Sequence, residues 1–178
     1  MKYLIASDIH GSSYYAEKVV EKFNEEKANK LILLGDIYNH GPRNPLPKDY
    51  APLKVAEVLN GVKDNLIVIK GNCDSAVDTM ISEFEFFENL LIGVEEKTVF
   101  LTHGHIFNKD SMPKTKVDAI IYGHFHTGFI ERNNGVIIAN AGSTSLPKND
   151  TANSYLVLDK KTLILKDFDG KIIDQKEI

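Results

Sequence analysis

Five short apolar runs in this chain end in the same way, at an aspartate, asparagine or histidine with a glycine beside or near it. Lys2–Ser7 leads into Asp8, His10 and Gly11, and Leu31–Leu34 into Gly35 and Asp36. Leu66–Ile69 is followed by Gly71 and Asn72, Thr98–Thr102 by His103 and Gly104, and Ala119–Tyr122 by Gly123, His124 and His126. Short apolar runs bounded by turn residues read as buried parallel strands. In open α/β sheets ligands bind at the carboxyl ends of the strands. The pattern therefore constrains the fold class and the place of the site together, and glycine at these positions permits sharp exits and close backbone approach.

The intervening segments agree. Ala16, Val19, Val20 and Phe23 recur at helical spacing among Glu17, Lys18, Glu21, Lys22, Glu25 and Glu26, with Ser12 or Ser13 as N-cap, which predicts a right-handed βαβ unit. Four of the six prolines, Pro42, Pro45, Pro47 and Pro52, fall between residues 40 and 52, so that stretch is expected to be an irregular loop able to wall a site next to Asp36. A short helix is predicted from about Leu53 to Leu59. The second half is β-rich, with runs at 98–102, 119–122, 136–139, 155–158, 163–168 and 171–173, and hairpin turns at 133–135 and 159–161. Phe84, Phe86 and Phe87 read as core packing or a short strand rather than a partner surface. Two packed mixed sheets with helices outside, the helical half first, are the expected architecture.

Composition narrows the function. A chain of 178 residues, 43% hydrophobic, fits one domain spanning 1–178. Lys and Arg total 21 against 25 Asp and Glu, a net charge of -4, so no basic field exists to hold a polyanion and stable nucleic-acid binding is not expected. Cys73 is the single cysteine, so no intrachain disulfide forms and a cytoplasmic location is the default expectation. The first apolar run meets Asp8 too early for a signal-peptide core or a membrane span, and no membrane partner is expected.

Asp8, His10, Asp36, Asn72, His103, His124 and His126 form an oxygen and nitrogen ligand set without thiolate, suited to Mn, Fe, Zn or Ni rather than to a structural zinc cage. Seven ligands exceed the needs of one tetrahedral site, which points to two metals with a carboxylate such as Asp36 between them. Two divalent ions about 3.5–4 Å apart can clamp a phosphate and lower the pKa of a bridging water. That is chemistry for phosphate ester hydrolysis.

In this order, Asp8-Ile9-His10, Gly35-Asp36, Gly71-Asn72, His103-Gly104-His105 and Gly123-His124-Phe125-His126 resemble the motifs of the calcineurin-like metallophosphoesterase family. Asn39–Asn44 and Gly71–Ser75 further resemble the small bacterial phosphodiesterases within it. The resemblance implies a four-layer α/β/β/α sandwich. It also implies one metal on Asp8, His10, Asp36 and His126 and a second on Asp36, Asn72, His103 and His124. The metal expected first is Mn2+, with Zn2+, Fe2+ or Ni2+ as other candidates, and a hydroxide bridging the pair would attack a small-molecule phosphodiester. Homo-oligomerisation is a further implication, with the 40–52 loop and the Phe84–Phe87 region as candidate surfaces.

The chain departs from the family pattern at two places. Many members have Gly-Asn-His where this chain has Gly71-Asn72-Cys73, and that histidine is their usual general acid. An Asp-Arg pair common in the family is replaced by Asn39-His40. A neutral thiol with an ordinary pKa near 8.5 is a poor acid, and loss of general acid catalysis costs about 10²- to 10⁴-fold when the leaving group is poor. Diesters with stabilised leaving groups are therefore expected to react best. Cys73 is either a residue at the catalytic position or a small buried hydrophobe, and His40 and His105 are candidate proton donors or phosphate contacts. Arg43 and Asn72 are candidate substrate-binding groups, and Asn140-Ala141-Gly142-Ser143 is expected to support the site from beneath. Other readings are a phosphomonoesterase or a non-catalytic scaffold, since the same fold serves as a subunit of the retromer coat. A nuclease is disfavoured by the net charge and by the lack of room for a DNA-binding cap.

Overall fold

The computed structural model describes residues 1–178. Its first half contains β1 (Lys2–Ala6), α1 (Ser13–Glu25), β2 (Lys30–Leu33), α2 (Pro52–Asn60), β3 (Leu66–Ile69) and β4 (Phe86–Phe87). The second half is all strand and loop: β5 (Leu90–Val94), β6 (Lys97–Leu101), β7 (Ala119–Tyr122), β8 (Phe129–Asn133), β9 (Val136–Asn140), β10 (Ser154–Asp159), β11 (Thr162–Asp167) and β12 (Ile172–Glu177). No helix is long and apolar enough to cross a membrane.

Two mixed sheets result, one in the order β12-β11-β10-β1-β2-β3-β4 and the other β5-β6-β7-β9-β8. In the first, β1, β2 and β3 are parallel and in close register, with Ala6 opposite Leu33 and Leu33 opposite Val68. Three carboxyl ends therefore stop at one edge. In the second, β6 and β7 are parallel with Leu101 opposite Ile121, which brings their ends to a common edge too.

Alternation along the strands builds the layers. On β1, Ile5 faces inward to a core shared by the sheets, with Ile32, Leu34 and Ile69 from the first and Val99, Leu101, Ile121, Ile137 and Ala139 from the second. Leu4 and Ala6 face outward and are covered by Ala16, Val19 and Phe23 of α1 and Val55, Ala56 and Leu59 of α2. Burial on both faces explains why these strands read as continuous apolar runs. Ser12 caps α1, its Oγ accepting from Tyr15 N at 3.2 Å, and Pro52 opens α2 where a missing N–H costs nothing. The outer face of the second sheet, with Phe100, Ile120, Tyr122 and Ile138, is covered by Phe107 and Val117 from the segment between β6 and β7. That segment supplies the fourth layer without a helix.

Candidate metal centre

The expected ligand residues converge at the shared sheet edge, and their backbones are unusual. Asp8, His10, Asp36, His124 and His126 have φ of 57°, 51°, 54°, 63° and 59°. The left-handed region is uncommon for residues other than glycine and is costly unless the surroundings fix it. Here several contacts do so. Asp8 O accepts from Ser143 Oγ at 2.8 Å and Ser145 Oγ at 3.0 Å, and Asp8 Oδ2 accepts from His124 N at 2.9 Å. Asn140 donates to Gly123 O at 2.7 Å and accepts from Gly142 N at 2.8 Å, so the 140–143 turn does underpin the site. Gly71 lies so close to Asp36 that a Cβ there would collide with the carboxylate.

One supporting residue escaped the reading of the sequence. Asp74 is buried and accepts from Asp36 N at 2.8 Å, Ile37 N at 2.8 Å and Gly71 N at 2.7 Å, which ties the β2 exit to the β3 exit. Burial pushes its carboxyl up to about 6, against the three N–H donors that favour the ionised form. An aspartate three residues after a strand-end glycine is the signal that could have revealed it, since such a carboxylate can reach back to loop N–H groups.

Two groups of inward-facing atoms meet at Asp36. In the first, His10 Nε2 lies 3.1 Å from His126 Nε2, 3.5 Å from Asp8 Oδ1 and 3.6 Å from Asp36 Oδ2, and His126 Nε2 lies 3.3 Å from Asp8 Oδ1. In the second, His103 Nε2 lies 3.1 Å from Asn72 Oδ1, 3.2 Å from His124 Nδ1 and 3.4 Å from the same Asp36 Oδ2. Ligands about 2.1 Å from a common ion stand roughly 3.0–3.4 Å from one another in octahedral or tetrahedral arrangements; the second group has these spacings, and the first comes within about 0.2 Å of them.

The hydrogen bonding fits as well. Nδ1 of His10, His103 and His126 lies 2.7, 2.7 and 2.6 Å from the carbonyls of Asn39, Leu34 and Leu146. Carbonyls only accept, so each Nδ1 carries its hydrogen and each Nε2 is directed into the centre, the arrangement that orients metal-binding imidazoles. Asp8 Oδ1 is buried with no hydrogen-bond partner, an orphaned acceptor that a cation would satisfy.

Burial and neighbouring charges act in opposite directions on Asp8 and His103. Burial opposes ionisation of Asp8, but contacts with His10 and His126 hold it well below the usual carboxylate range. Burial likewise disfavours charge on His103, yet the contact with Asp36 and the fields of Asp8 and Asp36 push it up to about 9. His124, desolvated and facing His103, is pushed down to about 4. Asp8 and Asp36, held in their ionised form, give the centre the negative charge that favours a cation.

A cleft of about 790 Å³ opens over the centre, walled by Arg43 and its neighbours in the proline-rich loop, by Asn72 and Cys73, and by Lys148 and Phe125. Cys73 N donates to Asp36 Oδ1 at 2.8 Å, and burial together with the Asp36 charge pushes its thiol up to about 12. His40 does not line this cleft; its ring packs edge-on against Tyr50, with centroids 5.3 Å apart. His105 is exposed, its ring 5.4 Å from that of His103, and burial and the His103 charge lower its pKa.

The model of the calcineurin-like phosphoesterase superfamily domain matches residues 1–163. The chain belongs to that superfamily. Phosphodiesterase YfcE of Escherichia coli K12 is 44% identical over 167 residues, covering 92% of this chain and 90% of the relative. The probable metallophosphoesterase YsnB of Bacillus subtilis is 28% identical over 166 residues, covering 89% and 83%. Among solved superfamily structures, that of the E. coli phosphoesterase YfcE superposes with a TM-score of 0.96 at 41% identity over the whole of both chains. Vps29 of Entamoeba histolytica complexed with Zn2+ superposes with a TM-score of 0.64 at 16% identity, covering 100% of this chain and 98% of the other, a likeness of fold alone. The α/β fold of two mixed sheets is that of this superfamily.

Proposed function

We propose that the chain is a metal-dependent phosphodiesterase acting on small phosphodiesters through two divalent cations, Mn2+ foremost. Asp8, His10, Asp36 and His126 hold one, and Asp36, Asn72, His103 and His124 the other. The observation that carries this reading is Asp36 Oδ2, which is shared by two complete groups of inward-facing ligand atoms. Such a pair, when bound, supplies a hydroxide for attack on phosphorus and neutralises the oxygens of the phosphate. The identity to a phosphodiesterase over most of both chains supports the substrate class.

The chain's own side chains set the rest. Arg43 and Lys148, on the cleft wall, attract an anionic ester. Cys73, with its thiol pushed up to about 12, stays neutral, and neither attacks phosphorus nor readily protonates a departing alkoxide. His40 supports the loop through Tyr50, and His105 is the remaining imidazole beside the ligands. The leaving group then departs chiefly as its own stabilised anion.

The test is hydrolysis of bis-p-nitrophenyl phosphate and of glycerol phosphate by chelator-stripped protein with and without Mn2+. Mn2+-dependent cleavage of the diester is expected, with the alkyl monoester slower by about 10²-fold or more. Full metal loading without turnover of either ester would contradict the reading and favour a scaffold of the same fold.

A further inference from the structure

Phe125 stands between two metal-ligand histidines, yet its side chain is 45% exposed. Its backbone is fixed by the left-handed residues on either side, His124 and His126, and by the bond from Phe125 N to Gly123 O at 2.7 Å. The ring packs at 81° against His124 with centroids 5.0 Å apart, and lies 6.1 Å from the Tyr122 ring. It lines both the large cleft and a separate cavity of about 270 Å³, the latter shared with Tyr122, Phe129, Glu131 and Asn149. Pockets for drug-sized ligands run from about 300 to 1,000 Å³, so this space suits one ring system.

The cavity's chemistry selects among rings. Tyr122, Phe125 and Phe129 give it aromatic walls. Glu131 offers acceptors, and Asn149, held by its bond to Thr127 Oγ1 at 2.9 Å, brings an amide with both donor and acceptor character. With Asp110 also on the wall against Lys109, the lining disfavours a second phosphate and favours a neutral ring with a hydrogen-bonding edge.

We propose that this cavity is a subsite for a flat nitrogen heterocycle carried by the substrate, with Phe125 as the stacking surface and specificity-determining residue, so that the preferred diesters are nucleotidyl esters whose second ester group is a stabilised leaving group. The proposal rests on the phosphodiesterase reading, because it is the metal centre that anchors the phosphate beside Phe125.

AMP and ribose 5-phosphate differ only in the base, so calorimetric titration of the Mn2+-loaded protein with each isolates the subsite. AMP is expected to bind about tenfold more tightly than ribose 5-phosphate, the order of stacking on one aromatic ring. That ratio should fall to near one in Phe125→Ala and Phe125→Leu and be restored in Phe125→Trp. Equal affinity of the two ligands in the wild-type protein, or a ratio unchanged in Phe125→Ala, would overturn the subsite. Turnover of bis-p-nitrophenyl phosphate, assayed in parallel, separates the two failures: its persistence with equal affinities would overturn the subsite alone, and its absence would overturn the activity and the subsite together.

Discussion

At the scale of single residues, the seven residues expected to hold metal, which the structure brings together at one sheet edge, could be picked out in the sequence because each directly follows or closely trails a strand end and each is a residue type that metals use. Their left-handed backbones could not, since positive φ in an aspartate or histidine leaves no trace in composition. Asp74 was missed for a related reason: its three partners are backbone N–H groups, which every residue has. Asp74→Ala leaves these buried donors unpaired, at about 1–3 kcal/mol each before the relief of desolvating the carboxylate. A net loss of about 2–4 kcal/mol is expected, which calorimetry would read as a drop in Tm of roughly 5–12 °C, together with a fall in metal affinity of about 10- to 100-fold by isothermal titration. Cys73→His places an imidazole beside Asp36 and is expected to raise kcat/KM on glycerol phosphate by about tenfold or more relative to that on bis-p-nitrophenyl phosphate. An unchanged ratio would argue that the missing acid is not what limits alkyl monoesters.

At the scale of elements, legibility followed burial. β3 and β7 have the bounds expected, because both faces of each are covered and the apolar run ends where the burial does. β5 was not anticipated, β8 was foreseen only through the hairpin turn at 133–135, and β12 extends past the expected 171–173 to Glu177. These three lie at or next to sheet margins with many exposed positions, where backbone pairing rather than side-chain pattern makes the strand. The covering of the second sheet by an irregular segment was also unreadable, since Phe107 and Val117 carry no periodicity. The start of α1 was legible from Ser12 and Ser13, and the structure selects Ser12. Ser12 Oγ also donates to Lys48 O at 2.5 Å, linking the helix to the loop that walls the cleft. Ser12→Ala is therefore expected to cost about 1–2 kcal/mol, measured as a lower urea midpoint with an unchanged slope.

At the scale of the whole molecule, Glu26 at the end of α1 joins the helix layer to the first sheet, meeting Lys2 Nζ at 2.8 Å and Lys166 Nζ at 2.6 Å. Burial opposes its charge, but these two ammonium groups hold its carboxyl below the usual range. A folded-state pKa below the unfolded value, about 4.3 for glutamate, gives stability that is complete above that value and is lost as pH falls through the folded one. The stability gap between wild type and Glu26→Gln, from urea unfolding, should thus be largest at neutral pH and shrink toward pH 3; a constant gap would show that the ion pairs are not its source. The central claim concerns the convergence of both sheets on one centre of two cations sharing Asp36. It is tested most directly by titrating chelator-stripped protein with Mn2+ while following bis-p-nitrophenyl phosphate hydrolysis. The account predicts that activity rises to a plateau at two equivalents per chain and is lost in Asp36→Asn. Full activity at one equivalent, or turnover retained in Asp36→Asn, would contradict it.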